Sequence, residues 1–267
     1  MDAIAALNLV NKLRLKTGAG CMRLVPELSK SATSHCSYNA TNTAAMCMPG
    51  GHTEVTGCMG FTGADVFARV KAAGYSGMAG VTEVLTQGGT PEQAVMGWVD
   101  TLWHRIPVLD PWTTDMGWGT ATGCVVIDFG RGATPADTKL VTVYPYDGQV
   151  DFPTSFSGRE APQPPAPSTG WPSSSMINVY AQAITVTEHV LTKVGDATPI
   201  EHIWIDKNSP EVNAGYRGYL AVTAFMYANK PFSANTQYHV KVVGTHTGGP
   251  LNLEWNFTTG AATRGFP

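Results

Sequence analysis

A proline-rich run, A-P-Q-P-P-A-P-S-T-G-W-P over residues 161–172, divides the chain into two stretches of different character. Such a composition favours an extended, semi-rigid spacer over a packed core. Before it, apolar residues recur mostly at helical spacing. After it, they fall in short β-rich runs separated by turn residues. The sequence predicts a helix-rich α+β domain over 1–156, a Pro-rich linker over 157–175, a small all-β sandwich over 176–260 and a tail over 261–267. With 267 residues, each domain is long enough to bury its own core.

In the first stretch, Ile4, Leu7, Val10 and Leu13 mark one helix that stops before Thr17-Gly18. Pro26 opens a second, where its missing N–H costs nothing. Leu28, Ala32, His35 and Cys36 fall at i, i+4, i+7 and i+8 on one stripe, so His35 is expected to point inward. Pro49-Gly50-Gly51 signals a turn. Val66, Val70 and Ala73 mark a third helix ended by Gly74, and Thr90-Pro91-Glu92-Gln93 is a capping-box start for a fourth, with His104 and Arg105 near its end. Residues 124–129 (CVVIDF) and 140–144 (LVTVY) read as strands of this same domain. Beyond the linker, strands are expected at 178–186, 202–205, 219–226, 238–243 and 251–258.

Charge excludes some functions. Lys and Arg number 17 against 20 Asp and Glu, a net −3, and no basic stripe is present, which speaks against nucleic acid as a partner. No apolar run is long enough to span a bilayer. The N-terminus shows no secretion signal, which suits either a cytosolic protein or a mature chain with an added Met1. The five cysteines all lie in the first half, with no CxxC pair. They read as a disulfide framework more readily than as reduced core thiols, and their odd number leaves at least one unpaired within the chain.

The residues able to carry chemistry are His35, His52, Glu54, Glu83, His104 and Arg105. Two histidines with one or two carboxylates suit a divalent cation such as zinc, or general acid–base work. Familiar alternatives fail on spacing: His52-Thr53-Glu54 has no P-C-x-x-C after it, and neither H-E-x-x-H nor G-x-S-x-G occurs.

Several segments, in order, resemble a bacterial CAP domain, the α-β-α sandwich of the cysteine-rich secretory, antigen 5 and pathogenesis-related proteins. The opening helix carries Asn11 and Arg14 in an N-x-x-R pattern, and residues 32–35 resemble the family's A-x-x-H. Residues 60–75 resemble the segment before its G-E-N. Residues 90–98 with His104, Arg105 and Leu109 resemble the helix ending in H-R-x-N-I-L, and residues 115–119 resemble the glycine strand that follows. Two departures stand out: Thr82-Glu83-Val84 replaces G-E-N, and Pro107 replaces the Asn after H-R-x. The tail end, 231–259, is similar to the last strands of bacterial Ig-like modules.

The resemblance implies a cleft in which His35 and His104 hold a divalent cation. Glu83 and Glu54 would then be candidate catalytic carboxylates, with His52 and Arg105 contacting ligand. It also implies a secreted or envelope-associated protein, which favours disulfides and a Cys47–Cys58 bridge clamping the His52 loop. Three functions follow as expectations: binding of a cation together with a lipid or peptide, metal-assisted hydrolysis through Glu83 or Glu54 with His35 or His104, and an adhesive or structural role in the cell envelope. The sequence leaves the oligomeric state open.

Overall fold

The computed structural model describes residues 1–47, 50–77, 79–132 and 137–261. The chain forms two units. The first comprises Met1–Leu15, Ala19–Trp98 and Pro107–Ala136, and the second Lys16–Gly18, Val99–Ile106 and Asp137–Pro267. Apart from Ala261, the expected tail lies outside the described residues, as does Pro49 of the expected turn. No described helix is long and apolar enough to cross a membrane.

The first unit is built on α1 (Asp2–Thr17, whose last two residues fall in the second unit), β1 (Arg23–Leu24), α2 (Pro26–Thr41), α3 (Val66–Ala73), β2 (Val81–Thr86), α4 (Pro91–Val99, whose last residue falls in the second unit), β3 (Asp115–Ala121) and β4 (Cys124–Gly130). The local signals act as read. Pro26 stands first in α2. The Asp65 side chain accepts from the Ala68 amide at the start of α3, and Gly74 closes it at φ 98°. Thr90 and Gln93 form a reciprocal capping box. Where one helix was expected to run on to His104, α4 ends at Val99 and a short helix, α5 (Arg105–Leu109), begins beyond it, with Pro107 in its first turn.

The sheet order is β1-β3-β4-β2, with β1 parallel to β3 and the other pairs antiparallel. α2 lies directly on β3. A Cβ at Gly117 would fall on the peptide joining Leu28 to Ser29, and one at Gly119 on the peptide joining Ala32 to Thr33. Only glycine admits so close an approach of helix backbone to strand. Leu28 then packs with Val25, Val70 and Tyr75, while Ala32 and Cys36 pack with Cys124 and Val126. A Cys36–Cys124 disulfide fastens the same contact.

Arg14 of α1 is fully buried and gives its guanidinium to five carbonyls, those of Ala19, Gly20, Val108, Asp110 and Thr113. It thereby gathers two separate segments of this unit, 19–20 and 108–113, around one cation.

The second unit holds two four-stranded sheets. One has the order β5 (Val141–Tyr144), β7 (Ile177–Ala181), β10 (Thr223–Ala228), β9 (His202–Ile205). The other runs β6 (Gln149–Phe152), β12 (Gly249–Thr259), β11 (Gln237–His246), β8 (Thr185–Lys193). Aromatic packing joins them: Tyr144 meets Phe152 of the other sheet edge-on at 5.8 Å, and Phe152 packs in turn on Phe257 of its own sheet at 5.0 Å. Residues 141–144 and 149–152, grouped by sequence with the helical half, hydrogen-bond into these sheets. The run expected at 178–186 is two strands broken by a turn at Ala183, whose φ is 52°. Residues 214–220 form a 3-10 helix ahead of β10. The Pro-rich stretch packs within this unit: Tyr227 donates to the Pro165 carbonyl, Thr169 to that of Asn229, and Trp171 stacks on Tyr227.

Gly119→Ala is expected to lower the stability of the first unit by about 3 kcal/mol through overpacking. Chemical denaturation followed by CD reads this directly, and an unchanged midpoint would mean that α2 is not seated as described.

Candidate functional site

Four of the six residues singled out by sequence converge beside α2. His35 lies on its inward face and is fully buried. Its Nδ1 is 2.9 Å from Glu54 Oε1 and its Nε2 is 2.8 Å from the Gly51 carbonyl. The Asn39 amide nitrogen also stands 3.3 Å from Nε2, so both ring nitrogens are engaged within the protein. The Asn39 amide, one turn along, bridges to the Gly51 carbonyl at 3.3 Å.

Glu54 is buried and saturated. Besides His35, it accepts from the Thr62 amide at 2.6 Å, the Thr62 hydroxyl and the Gly63 amide. Burial works against its ionisation, but the His35 bond, the Thr62 amide and the Arg69 charge outweigh burial and hold its carboxyl below the ordinary range.

Glu83, on β2, is shared. Oε1 meets His52 Nδ1 at 2.7 Å and Oε2 meets Arg69 Nη2 at 2.5 Å. Burial again raises the cost of charge, while the His52 bond and the Arg69 charge more than offset it, so its carboxyl too is held down. Arg69 comes from α3 and also donates to the His52 carbonyl at 3.0 Å. His52 is the one member facing solvent, with 49% of its side chain exposed. Its loop is fixed on one side by the Gly51–His35 contact and on the other by the Cys47–Cys58 disulfide, the bridge expected there. Cys21 is free and exposed.

Sequence reading missed Asp128. It sits opposite Glu83 in the β2–β4 register and is fully buried. Neither of its oxygens makes a well-formed hydrogen bond among the described residues; the Ser31 hydroxyl and the Glu83 carboxylate are its polar neighbours. Burial first, and then the charge of Glu83, push its carboxyl well above the ordinary range, so it favours the neutral form. The available signal was an acid inside the apolar run CVVIDF.

His104 and Arg105 belong to the second unit. His104 Nδ1 is 2.7 Å from Glu160 Oε1, and the Glu160 carboxylate also accepts from the amides of Leu102, Trp103 and His104. Arg105 is fully buried, donates to the Met176 carbonyl and to Asn178 Oδ1, and lies over the Tyr144 ring.

As arranged, the residues do not fit a resident divalent cation. Both His35 nitrogens face acceptors, Glu54 is saturated, and the Arg69 guanidinium fills the place beside Glu83 that a cation would take. Among the described residues, no group of three or more His, Cys, Asp or Glu side chains is arranged to hold a metal. A groove of about 690 Å³ runs along the outer face of α2, lined by Ser29, Thr33, Ser37, Tyr38, Gly60 and Thr62 among others. It shares Tyr38 and Thr62 with the surroundings of the cluster but does not include His52.

The fold and these motifs define a domain class, and the comparisons name it. Residues 7–129 match the family described as CAP, the cysteine-rich secretory protein family, and this part of the chain is a CAP domain. Among solved structures, the chain is similar to an extracellular protein containing an SCP domain from Bacillus anthracis, with 15% identity and a TM-score of 0.41. That match covers 49% of this chain and 40% of the Bacillus protein, so the chain spans well under half of it. An outer surface protein from Borrelia burgdorferi matches with 18% identity and a TM-score of 0.37, over 48% of this chain and 90% of that one. No curated protein matches the chain.

Two substitutions should move stability oppositely with pH. Glu54 has a depressed folded-state value, so its contribution is complete above the unfolded value of 4.5 and is lost as pH falls through the folded value. Glu54→Gln should cost about 3 kcal/mol at pH 7, with the gap to wild type closing below pH 4.5. Asp128 has a raised value, so its burial costs most at higher pH. Asp128→Asn should stabilise at pH 7 and become neutral below pH 3.8. Denaturation midpoints across pH 3–8 test both, and parallel profiles for the three proteins would contradict the assignment.

Proposed function

We propose that the chain is a secreted or envelope-associated protein whose CAP domain binds a polar, peptide-like ligand through His52. The carrying observation is the His52–Glu83 pair. With Nδ1 held 2.7 Å from a carboxylate that Arg69 locks in place, the half-exposed ring is fixed in orientation, and in its neutral form it offers Nε2 as an acceptor. Such a nitrogen accepts an N–H or O–H from a ligand, which suits the amides of a peptide better than the acyl chains of a lipid. Two disulfides support an extracellular setting. The two four-stranded sheets of the second unit support its reading as an Ig-like module.

A second reading has a specific observation behind it. A carboxylate-oriented imidazole is also the arrangement of a general base, so His52 could take a proton from water during hydrolysis, with Glu83 stabilising the imidazolium. Glu83 and Glu54 themselves are poor candidates for that role, because their oxygens are engaged by Arg69, His52, His35 and Thr62.

NMR of the histidine rings, with short peptide mixtures and separately with phosphatidylcholine vesicles, tests the first reading. Peptides should shift the His52 resonances, and His52→Ala should weaken binding at least tenfold. Vesicle binding without peptide binding, or no effect of His52→Ala, would overturn it. Turnover of peptide or ester substrates that disappears in His52→Ala would establish the second reading instead.

A further inference from the structure

β8 and β9 are the outermost strands of the second unit's two sheets, each at an open edge. His189 stands on β8, and His202 and Trp204 stand on β9; all three are half-buried. His189 Nδ1 lies 2.8 Å from His202 Nε2, so the two rings bridge the sheets. On its other side, His202 Nδ1 lies 2.6 Å from the Ile200 carbonyl. That carbonyl fixes the proton on Nδ1 and leaves a lone pair on Nε2 aimed at His189. The His189 ring stacks on Trp204 at 4.7 Å and 9°, and the Trp204 indole N–H reaches Asp206 at 3.3 Å.

We propose that His189 and His202 form a binding site for a divalent transition-metal ion, copper(II) or zinc, with water completing its coordination. Imidazole nitrogens suit these ions, and a ligand histidine whose second nitrogen is anchored to a carbonyl is the usual supporting arrangement. Both rings favour the neutral, ligating form. Burial lowers each, and for His189 the neighbouring His202 adds to the effect. Entry of the ion requires His189 to change tautomer, its proton moving from Nδ1 to the outer Nε2, so no proton is lost. The facing nitrogens must also open from 2.8 Å to about 3.3 Å, the separation set by metal–nitrogen bonds near 2.0 Å at a tetrahedral angle. At an edge, that small movement disturbs no ladder partner on the outer side. The Asp206 carboxylate adds negative charge beside His189.

The test uses the full chain titrated with zinc chloride or copper sulfate at pH 7.5, read by histidine-ring NMR and, for copper, by tryptophan fluorescence. The expected result is one saturable site in the micromolar range with shifts at His189 and His202. His189→Ala and His202→Ala should each weaken it at least tenfold, His189→Gln should do the same while conserving a polar side chain, and Trp204→Phe should remove most of the copper quench. His52→Ala should leave binding unchanged. The absence of saturable binding by the wild-type chain, or wild-type affinity in the His189 and His202 variants, overturns the proposal. Loss of binding in His52→Ala alone would place the ion in the CAP cluster and overturn both this proposal and the fit argument made there.

Discussion

The seating of α2 on two glycines of β3 is the constraint from which the first unit's interior follows. Because Gly117 and Gly119 carry no side chain, the helix backbone rests on the strand itself, and the inner stripe of α2 reaches the level of the neighbouring strands. His35 and Ser31 then stand against Glu83 and Asp128, which face each other across β2 and β4. A bulkier β3 would lift His35 away from Glu54 and Glu83, and the polar network would lose the ring that joins its two halves.

That network shows how a protein keeps three carboxyls buried together. Glu54 and Glu83 remain charged because His35, His52, Arg69 and the Thr62 amide converge on them, whereas Asp128, which lacks such partners, is left to the neutral form. Arg69, His52 and Thr62 come from α3 and two loop segments and His35 from α2, while the carboxylates at positions 83 and 128 sit on the rigid sheet. The consequence is a fixed floor under a single exposed group, His52.

The parts legible in the sequence were those encoded by local chemistry. Helical spacing pointed His35 inward, Pro26 and the Thr90–Gln93 box marked helix starts, and the family motifs identified a CAP domain, which the family match places over residues 7–129. What escaped was set by long-range pairing. Arg69 reaches Glu83 only because α3 folds over β2, and nothing near residue 69 announces the partner. Asp128 reads as an ordinary strand residue until the register puts Glu83 beside it. β8 alternates polar and apolar residues too weakly to announce an edge strand, since much of it faces solvent. Residues 141–152 follow the CAP strands in sequence but pair with partners far down the chain, and proximity in sequence was the only cue available for them.

The Cys36–Cys124 bridge joins residues 88 apart, and Glu54, Glu83, Arg69, His52 and Thr62 of the network lie between them, while Ser31, His35 and Asp128 lie just outside. Those segments form a covalent ring that starts on α2 and ends at β4, with the Cys47–Cys58 loop as a smaller ring inside it. A single proteolytic cut anywhere between positions 37 and 123 therefore opens a ring without releasing a fragment. For a protein in an environment rich in proteases, the molecule's tolerance of damage at its surface loops resides in two sulfur bonds rather than in the continuity of its backbone.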